Sequence, residues 1–193
     1  MLNIDKIAIF MFAMSIALRA RLTGAHITGS IVLGFFCSLS APLLRESVLS
    51  TGGVLFVLQN FPLYSILGAC CGIFLIYLKN AEKIFVISDA FSLGLTSAFA
   101  TILALNSLNV TGALVLGMIV GLLPAFLRDI SLGDMASMVV MNWYVSASAL
   151  GCMIVVLGNN FFPKEYGFIA IFMGSILVIL LRLIEEKKIF DRN

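Results

Sequence analysis

The hydrophobic residues of this chain fall into seven long runs that are separated by short polar segments. The runs do not alternate between apolar and polar residues as the strands of a membrane barrel do, and most approach the roughly 20 residues that a spanning helix needs. Because only helices and closed barrels satisfy the backbone in lipid, the pattern predicts seven transmembrane helices. The runs cover about 4–20, 26–44, 54–78, 84–105, 110–127, 135–157 and 166–184.

The composition also indicates an integral membrane protein, since 61% of the residues are hydrophobic and only 11% are charged. Soluble domains carry about 45–50% apolar and about 25% charged residues. These values exclude a soluble enzyme, a nucleic-acid binder, a disordered chain and a disulfide scaffold. A chain of 193 residues has no room for a large extramembrane domain beside seven helices, so a single transmembrane domain over residues 1–193 is expected.

The distribution of lysine and arginine predicts the orientation in the membrane, because cytoplasmic loops are enriched in both residues. Lys6, Arg45 and Lys164 fall on one side of the predicted topology, and the other 9 of the 12 basic residues fall on the opposite side. The N-terminus is therefore expected outside and the C-terminus in the cytoplasm, across the inner (plasma) membrane.

An internal repeat organises the chain. Residues 27–46 read ITGSIVLGFFCSLSAPLLRE and residues 110–129 read VTGALVLGMIVGLLPAFLRD, with an offset of 83 and no gap. Extending this alignment to 42 positions gives 13 identities. One residue of slippage also aligns Asp5 with Asp89, at the heads of the first and fourth predicted helices.

Each copy of the repeat holds three predicted helices, which is an odd number, so the second copy must lie upside down relative to the first. The sequence therefore predicts an inverted 3+3 repeat with a seventh helix appended, an architecture known from membrane proteins with a central pathway. Repeat one covers about 4–78, repeat two about 84–157 and the seventh helix about 166–184.

Both copies place helix breakers shortly before a charged pair. Ser40 and Pro42 precede the pair in the second predicted helix, and Gly121 and Pro124 precede it in the fifth. A proline removes one backbone hydrogen bond and clashes with the preceding turn, so both helices are expected to be kinked. Freed carbonyls in lipid face protein or a water-filled cavity, so the kinks are candidate walls of a polar pathway with cation-coordinating carbonyls. The alternative is a kink that serves packing alone.

The charged pairs are Arg45–Glu46 and Arg128–Asp129, which keep the same charge order in both copies. A charge near the bilayer interior costs several kcal/mol unless it is paired or hydrated. Since neighbours in sequence point in different directions around a helix, each arginine is expected to pair across the repeat or to line water. The alternative interpretation places both pairs in loops at the membrane surface.

Asp89 follows Ser88 near the start of the fourth predicted helix. It is either an N-cap or first-turn acid that stabilises this helix, or a carboxylate that attracts cations at a pore mouth. The same helix carries a stripe of small and polar residues, which usually indicates close helix packing. The stripe consists of Ser92, Gly94, Thr96, Ser97 and Thr101.

The sequence offers no chemistry for catalysis. It contains no nucleotide-binding loop, no Ser–His–Asp set and no metal-ligand cluster, and its single histidine, His26, is expected at the membrane interface. Neither an enzymatic function nor a cofactor nor a bound metal is therefore expected.

These features resemble the prokaryotic members of the trimeric intracellular cation channel (TRIC) family, whose domain is also described as a glycine transporter. In that family each repeat has a run of glycines, two variable residues and then Arg-Asp. Residues 40–46 and 123–129 occupy those places here, and Ser88-Asp89-Ala90 is similar to the start of the family's second repeat. This chain lacks the glycine runs and has Glu46 as its first acid, which affects the width and ion preference of any pore.

The resemblance covers the first six predicted helices. It implies a homotrimer surrounded by membrane lipid, with one pore inside each protomer that passes potassium and other monovalent cations.

Three hypotheses for the function remain. The first is a passive monovalent cation channel, in which the carboxylates of Glu46, Asp89 and Asp129 attract cations. Arg45 and Arg128 then hold the kinks or gate the pore, either inside it or at its rim. The second is a secondary transporter of a small zwitterion such as glycine, which the scarcity of membrane-embedded acids for ion coupling disfavours. The third is a non-conducting membrane scaffold.

Overall fold

A computed structural model describes residues 2–50, 52–134, 144–161 and 167–190 of the chain. Within these ranges all regular secondary structure is helical, which confirms the predicted all-α fold. The first part of the sixth predicted helix, residues 135–143, lies outside the described residues. The described helices are α1 (Leu2–Leu22), α2 (Ile27–Leu49), α3 (Gly53–Asn60), α4 (Pro62–Leu75), α5 (Ala81–Ala104), α6 (Val110–Leu132), α7 (Tyr144–Phe161) and α8 (Gly167–Phe190).

Three of the described helices, α2, α5 and α6, are long and apolar enough to cross a membrane. The bent pair of α3 and α4 makes a fourth such segment if the two helices are counted together. α1 has 21 residues, but the charged residues near both of its ends shorten its uncharged stretch. The described helices therefore support the prediction of a membrane protein.

α2 and α6 extend beyond the predicted helix ends at 44 and 127. They continue to Leu49 and Leu132, so the charged pairs Arg45–Glu46 and Arg128–Asp129 lie inside helices. The interpretation of these pairs as loop residues is wrong. The charges do not end the helices, because each arginine meets carboxylates within the bundle.

The third apolar run forms two helices, where one was predicted. α3 ends at Asn60 and α4 begins at Pro62, and the helix pair is bent by 48°. A proline is tolerated in the first turn of a helix, but it cannot continue the hydrogen-bond ladder of the helix before it. Phe61 at this corner is fully buried and packs in one cluster with Ile9 and Leu39, so the bend is anchored in the core.

α5 lies at the centre of the bundle. In its apolar 18-residue stretch 78% of the residues are buried, compared with 39% in α2 and in α6. It packs against α1, α6 and α8. Gly117 and Gly121 of α6 face Thr101 and Ser97 of α5, where a Cβ atom on either glycine would collide. These contacts confirm that the stripe of small residues on α5 serves close packing.

α1 and α4 also approach each other closely through glycine. A Cβ atom at Gly68 would overlap the carbonyl oxygen of Phe10, and a Cβ atom at Gly72 would overlap that of Met14. Both obstacles are backbone atoms of a neighbouring helix, so they cannot move aside as a flexible side chain would. The spacing of α1 and α4 therefore depends on the absence of side chains at these two positions.

We expect Gly68→Ala to lower the free energy of unfolding by about 1–3 kcal/mol, which is the usual cost of overpacking a tight contact. The measurement is the thermal unfolding midpoint of the purified protein in detergent, followed by circular dichroism. Gly29→Ala in α2 is the matched control, since no neighbouring atom lies within 4 Å of a Cβ added there. Equal midpoints for the two variants would contradict the proposed packing constraint.

Candidate functional site

Asp5, Arg45 and Glu46 form the first of two buried clusters. Arg45 of α2 donates from Nη1 and Nη2 to the two carboxylate oxygens of Asp5 in α1, at 2.8 and 2.6 Å. Its Nε and Nη2 also donate to Oε1 of Glu46, at 3.1 and 2.9 Å. No more than 4% of any of these residues is exposed. The two-pronged contact between a guanidinium and a carboxylate is strong and directional, so it fixes α1 against α2.

Asp89, Arg128, Asp129 and Tyr144 form the second cluster. Arg128 of α6 donates from Nη1 to Oδ1 of Asp89 in α5 at 2.6 Å, and from Nε to Oδ1 of Asp129 at 2.7 Å. The Tyr144 hydroxyl of α7 donates to Oδ2 of Asp89 at 3.1 Å. No more than 3% of any of these four residues is exposed. This cluster joins α5, α6 and α7.

The two clusters occupy equivalent places in the sequence repeat. The offset of 83 maps Arg45 onto Arg128, and the slippage of one residue maps Asp5 onto Asp89. In each copy the arginine of one helix binds the aspartate of the helix before it. The alignment of Asp5 with Asp89 therefore corresponds to a shared contact.

The clusters differ in the groups that complete them. The first has Glu46 where the second has the shorter Asp129, and Oε1 of this glutamate accepts from two nitrogens of Arg45. The repeat places Phe61 at the position of Tyr144, and a phenyl ring has no hydroxyl to donate. The tyrosine thus gives the second cluster a polar contact that the first cluster does not have at that position.

An aromatic ring of α5 lies against each arginine. The guanidinium carbon of Arg45 is 5.1 Å from the ring centre of Phe99, and that of Arg128 is 5.1 Å from the ring centre of Phe85. The face of an aromatic ring attracts a cation, so these contacts add to the ion pairs. The central helix therefore touches both arginines.

The two clusters contact α5 at separate levels. Asp89 belongs to the second cluster, and Phe99, which stacks on the arginine of the first cluster, lies ten residues further along the same helix. At about 1.5 Å per residue, the two contacts are roughly 15 Å apart along the helix axis. The two charged clusters are therefore separated by the residues of α5 between Asp89 and Phe99.

Each cluster contains two carboxylates and one guanidinium. When these three groups are ionised, the described side chains of each cluster carry one more negative charge than positive charge. An excess charge in a low-dielectric interior is costly, so a cation or ordered water nearby is stabilised. Among the described residues no group of three or more His, Cys, Asp or Glu is arranged to hold a metal ion.

The structure brings five of the predicted site residues into these clusters. The five are Arg45, Glu46, Asp89, Arg128 and Asp129. Each arginine reaches the acid next to it and an acid of its own copy, so the expected pairing across the repeat is wrong. The alternative, that the arginines line water, stays a prediction. Asp89 is not an N-cap or first-turn acid, since α5 begins at Ala81, two turns earlier. Sequence reasoning did not identify Asp5 or Tyr144 as site residues, although the slipped alignment was a signal for Asp5.

The predicted helix breakers lie in α2 and α6, close to the clusters along the chain. Pro42 and Pro124 are buried inside these helices. Gly121 packs against α5, and the hydroxyl of Ser40 donates to the carbonyl of Cys37 at 2.6 Å. Since a proline has no N–H, it leaves a carbonyl one turn earlier without its helical hydrogen bond.

Comparisons with known proteins connect the chain to TRIC channels. The family model described as Glycine transporter matches residues 86–160, which include all of α6, most of α5 and α7, and the whole second cluster. A comparison with curated proteins finds no match.

Solved structures share the fold over nearly the whole chain. A prokaryotic TRIC channel crystallised in 0.5 M KCl has 22% sequence identity and a TM-score of 0.84, covering 97% of this chain and 96% of that one. A structure described as the structural basis for conductance through TRIC cation channels has 21% identity and a TM-score of 0.79, covering 96% and 92%. The TRIC trimeric intracellular cation channel orthologue from Rhodobacter sphaeroides has 20% identity and a TM-score of 0.78, covering 94% of each chain. The chain therefore has the fold of prokaryotic TRIC channels, which confirms the resemblance indicated by its repeat.

We expect Arg128→Met to lower the free energy of unfolding by about 3–5 kcal/mol, because it removes the cation that faces the buried Asp89 and Asp129. The matched control is Arg19→Met. Arg19 pairs with Asp134 at 3.1 Å, but both side chains are 38% exposed, so the expected loss is only about 0–1 kcal/mol. Denaturant titrations of both variants in the same detergent measure the difference. A similar loss in the two variants would contradict a structural role for the buried arginine.

Tyr144→Phe introduces the residue found at the matching position of the first repeat. We expect it to lower stability by about 1.5–3 kcal/mol, which is the usual contribution of a hydrogen bond to a charged group. Tyr64→Phe is the control, since the contact of Lys6 is with the face of its ring, at 5.0 Å from the ring centre, and the ring is retained. If denaturation finds the same stability for both variants, the bond to Asp89 does not stabilise the second cluster.

Proposed function

We propose that this protein is a monovalent cation channel that conducts potassium through a hydrophilic pathway inside each protomer, between the two repeats. One observation carries the proposal: two buried clusters, each with an excess carboxylate, contact the central helix about 15 Å apart in a fold shared with TRIC channels. No enzymatic step and no cofactor belong to the proposal.

The proposed architecture has seven transmembrane helices as an inverted 3+3 repeat with α8 appended. α1, α2 and the bent pair of α3 and α4 form the first repeat, and α5, α6 and α7 form the second. The equivalent ion pairs of α1 with α2 and of α5 with α6 support this division. In an inverted repeat such equivalent sites lie toward opposite sides of the membrane, which suits the two ends of one pathway.

The clusters are proposed to select cations by their charge. Glu46, Asp89 and Asp129 attract cations and repel anions, because carboxylates in a low-dielectric wall concentrate positive ions. Arg45 and Arg128 hold these carboxylates in position and reduce the charge enough for an ion to leave again. A site with two carboxylates and no arginine would bind a cation too tightly for rapid conduction.

The pathway itself is proposed to run along kinks in α2 and α6. Pro42 cannot donate a hydrogen bond to the carbonyl of Ser38, and Pro124 cannot donate one to the carbonyl of Val120. Such carbonyls replace part of the hydration shell of a passing cation in the same way as they do in other ion pathways. Ser40 and Gly121 lie in the same segments and keep the side chains there small.

We further propose a homotrimer in the inner (plasma) membrane, with the N-terminus outside and the C-terminus in the cytoplasm. The Rhodobacter sphaeroides protein with this fold is named a trimeric channel. Large apolar side chains also lie on the outer surface of the chain, including Phe36, Leu55 and Phe74, each at least 65% exposed. Such surfaces are covered by lipid or by neighbouring protomers in a membrane.

A glycine transporter is the second candidate, because the matching family model carries that description. The carboxylate of glycine would require a cationic partner. Arg45 and Arg128 already bind carboxylates of the chain, and each cluster has a negative excess. This charge balance disfavours the binding of a second carboxylate and therefore favours the channel.

The test measures potassium efflux from proteoliposomes alongside exchange of radiolabelled glycine, with valinomycin marking complete potassium release and protein-free vesicles as the control. We expect electrogenic potassium flux that follows the gradient and does not saturate at millimolar potassium, without glycine counterflow. Saturable glycine exchange without ionic current would reverse the order of the two candidates. Absence of both signals in correctly folded protein would favour a membrane scaffold.

A further inference from the structure

The hydroxyl groups of α5 differ in their hydrogen bonding. Four of its five serine and threonine side chains donate to a carbonyl three or four residues earlier in the same helix, at 2.8–2.9 Å. These four are Ser88, Ser92, Ser97 and Thr101. The fifth, Thr96, is 4% exposed, and its Oγ1 has no hydrogen-bond partner among the described residues. Its hydroxyl does not take the usual position for a helical threonine.

A buried hydroxyl without a partner is unusual, because removal from water has to be compensated by a hydrogen bond. The hydroxyl of Thr96 could donate to a carbonyl one turn earlier in α5, as that of Thr101 does. Helix geometry therefore does not prevent this hydrogen bond. The partner of Thr96 is therefore expected to be a group that the chain does not supply, such as a water molecule or an ion.

Thr96 lies between the two clusters. It is seven residues from Asp89, nearly two full turns, so both residues share one face of α5 at about 10 Å from each other. Phe99, which stacks on Arg45, lies one turn further along. A cation that moves along α5 from one cluster to the other would therefore pass this hydroxyl.

A second buried hydroxyl, that of Ser148, contacts the thiol of Cys152 but has no nitrogen or oxygen partner among the described residues, and the repeat accounts for this. Its counterpart in the first repeat is Ser65, which lies 2.7 Å from the hydroxyl of Ser38. The position of Ser38 is taken by Gly121 in the second repeat, so the bonding partner is lost by substitution. No such substitution explains Thr96. In the slipped alignment that pairs Asp5 with Asp89, its counterpart is the apolar Phe12.

We propose that Oγ1 of Thr96 is a coordinating oxygen for the monovalent cation as it crosses the apolar stretch between the clusters. The proposal rests on the channel function given above and adds a specific binding position to it. A neutral hydroxyl oxygen replaces one water of the hydration shell without the strong attraction of a carboxylate, which suits a site of brief residence.

The test is the unitary potassium conductance of single channels in planar bilayers. Thr96→Val keeps the shape and removes the hydroxyl, and we expect it to lower the conductance about fivefold, the effect of losing one hydrogen-bond-strength contact. Thr96→Ser retains a hydroxyl and is expected to recover most of the conductance lost. Thr101→Val is the matched control, since its hydroxyl is bonded to the carbonyl of Ser97 and faces Gly117.

Unitary conductance distinguishes ion coordination from folding, since misfolded copies change the number of channels and not the current through each one. A wild-type conductance in Thr96→Val would overturn the assignment while leaving the channel proposal intact. No current from the wild type, in bilayers that contain folded protein, would contradict the channel proposal itself. If Thr96→Val does not assemble, Thr96→Ala removes the same hydroxyl with less bulk, and the same loss is expected.

Discussion

The burial of two arginines in a largely apolar helix bundle is the constraint on which the rest of the structure depends. A guanidinium at this depth requires carboxylates beside it, so α1 must bring Asp5 to α2 and α5 must bring Asp89 to α6. The glycine contacts between the helices allow close approach, but van der Waals contacts are not directional. The ion pairs select one register, and together the two kinds of contact define the core of each repeat.

The two repeats satisfy the same constraint with different residues. The first uses the extra length of Glu46, and the second uses the shorter Asp129 together with the Tyr144 hydroxyl. Ser40, Ala41 and Pro42 lie shortly before the arginine of the first copy, and Leu123, Pro124 and Ala125 lie shortly before that of the second. Both arginines nevertheless bind the aspartate of the preceding helix, so the charge pairing is the same in the two copies although the local sequence differs.

Much of the fold follows from the sequence, because transmembrane helices appear as long hydrophobic runs and the repeat appears as a constant offset between similar segments. The all-α architecture, the sequence repeat and five of the six charged residues of the clusters, all but Asp5, were predictable in this way. The pairing of Arg45 with both Asp5 and Glu46 was not, since it depends on how a flexible side chain curves within a packed bundle. The break at Pro62 was not predicted, because the residues on both sides of it are hydrophobic and form one continuous run. Hydrophobicity alone does not show that a proline lacks the N–H group that a continuous helix needs.

The position of Phe99 has a mechanical consequence. The ring belongs to α5 of the second repeat, yet it covers the arginine of the first, while Asp89 of the same helix binds the arginine of the second. A continuous helix transmits displacement along its axis with little compression, so a shift at one of these contacts is accompanied by a shift at the other. α5 is therefore a rigid mechanical link between the two clusters.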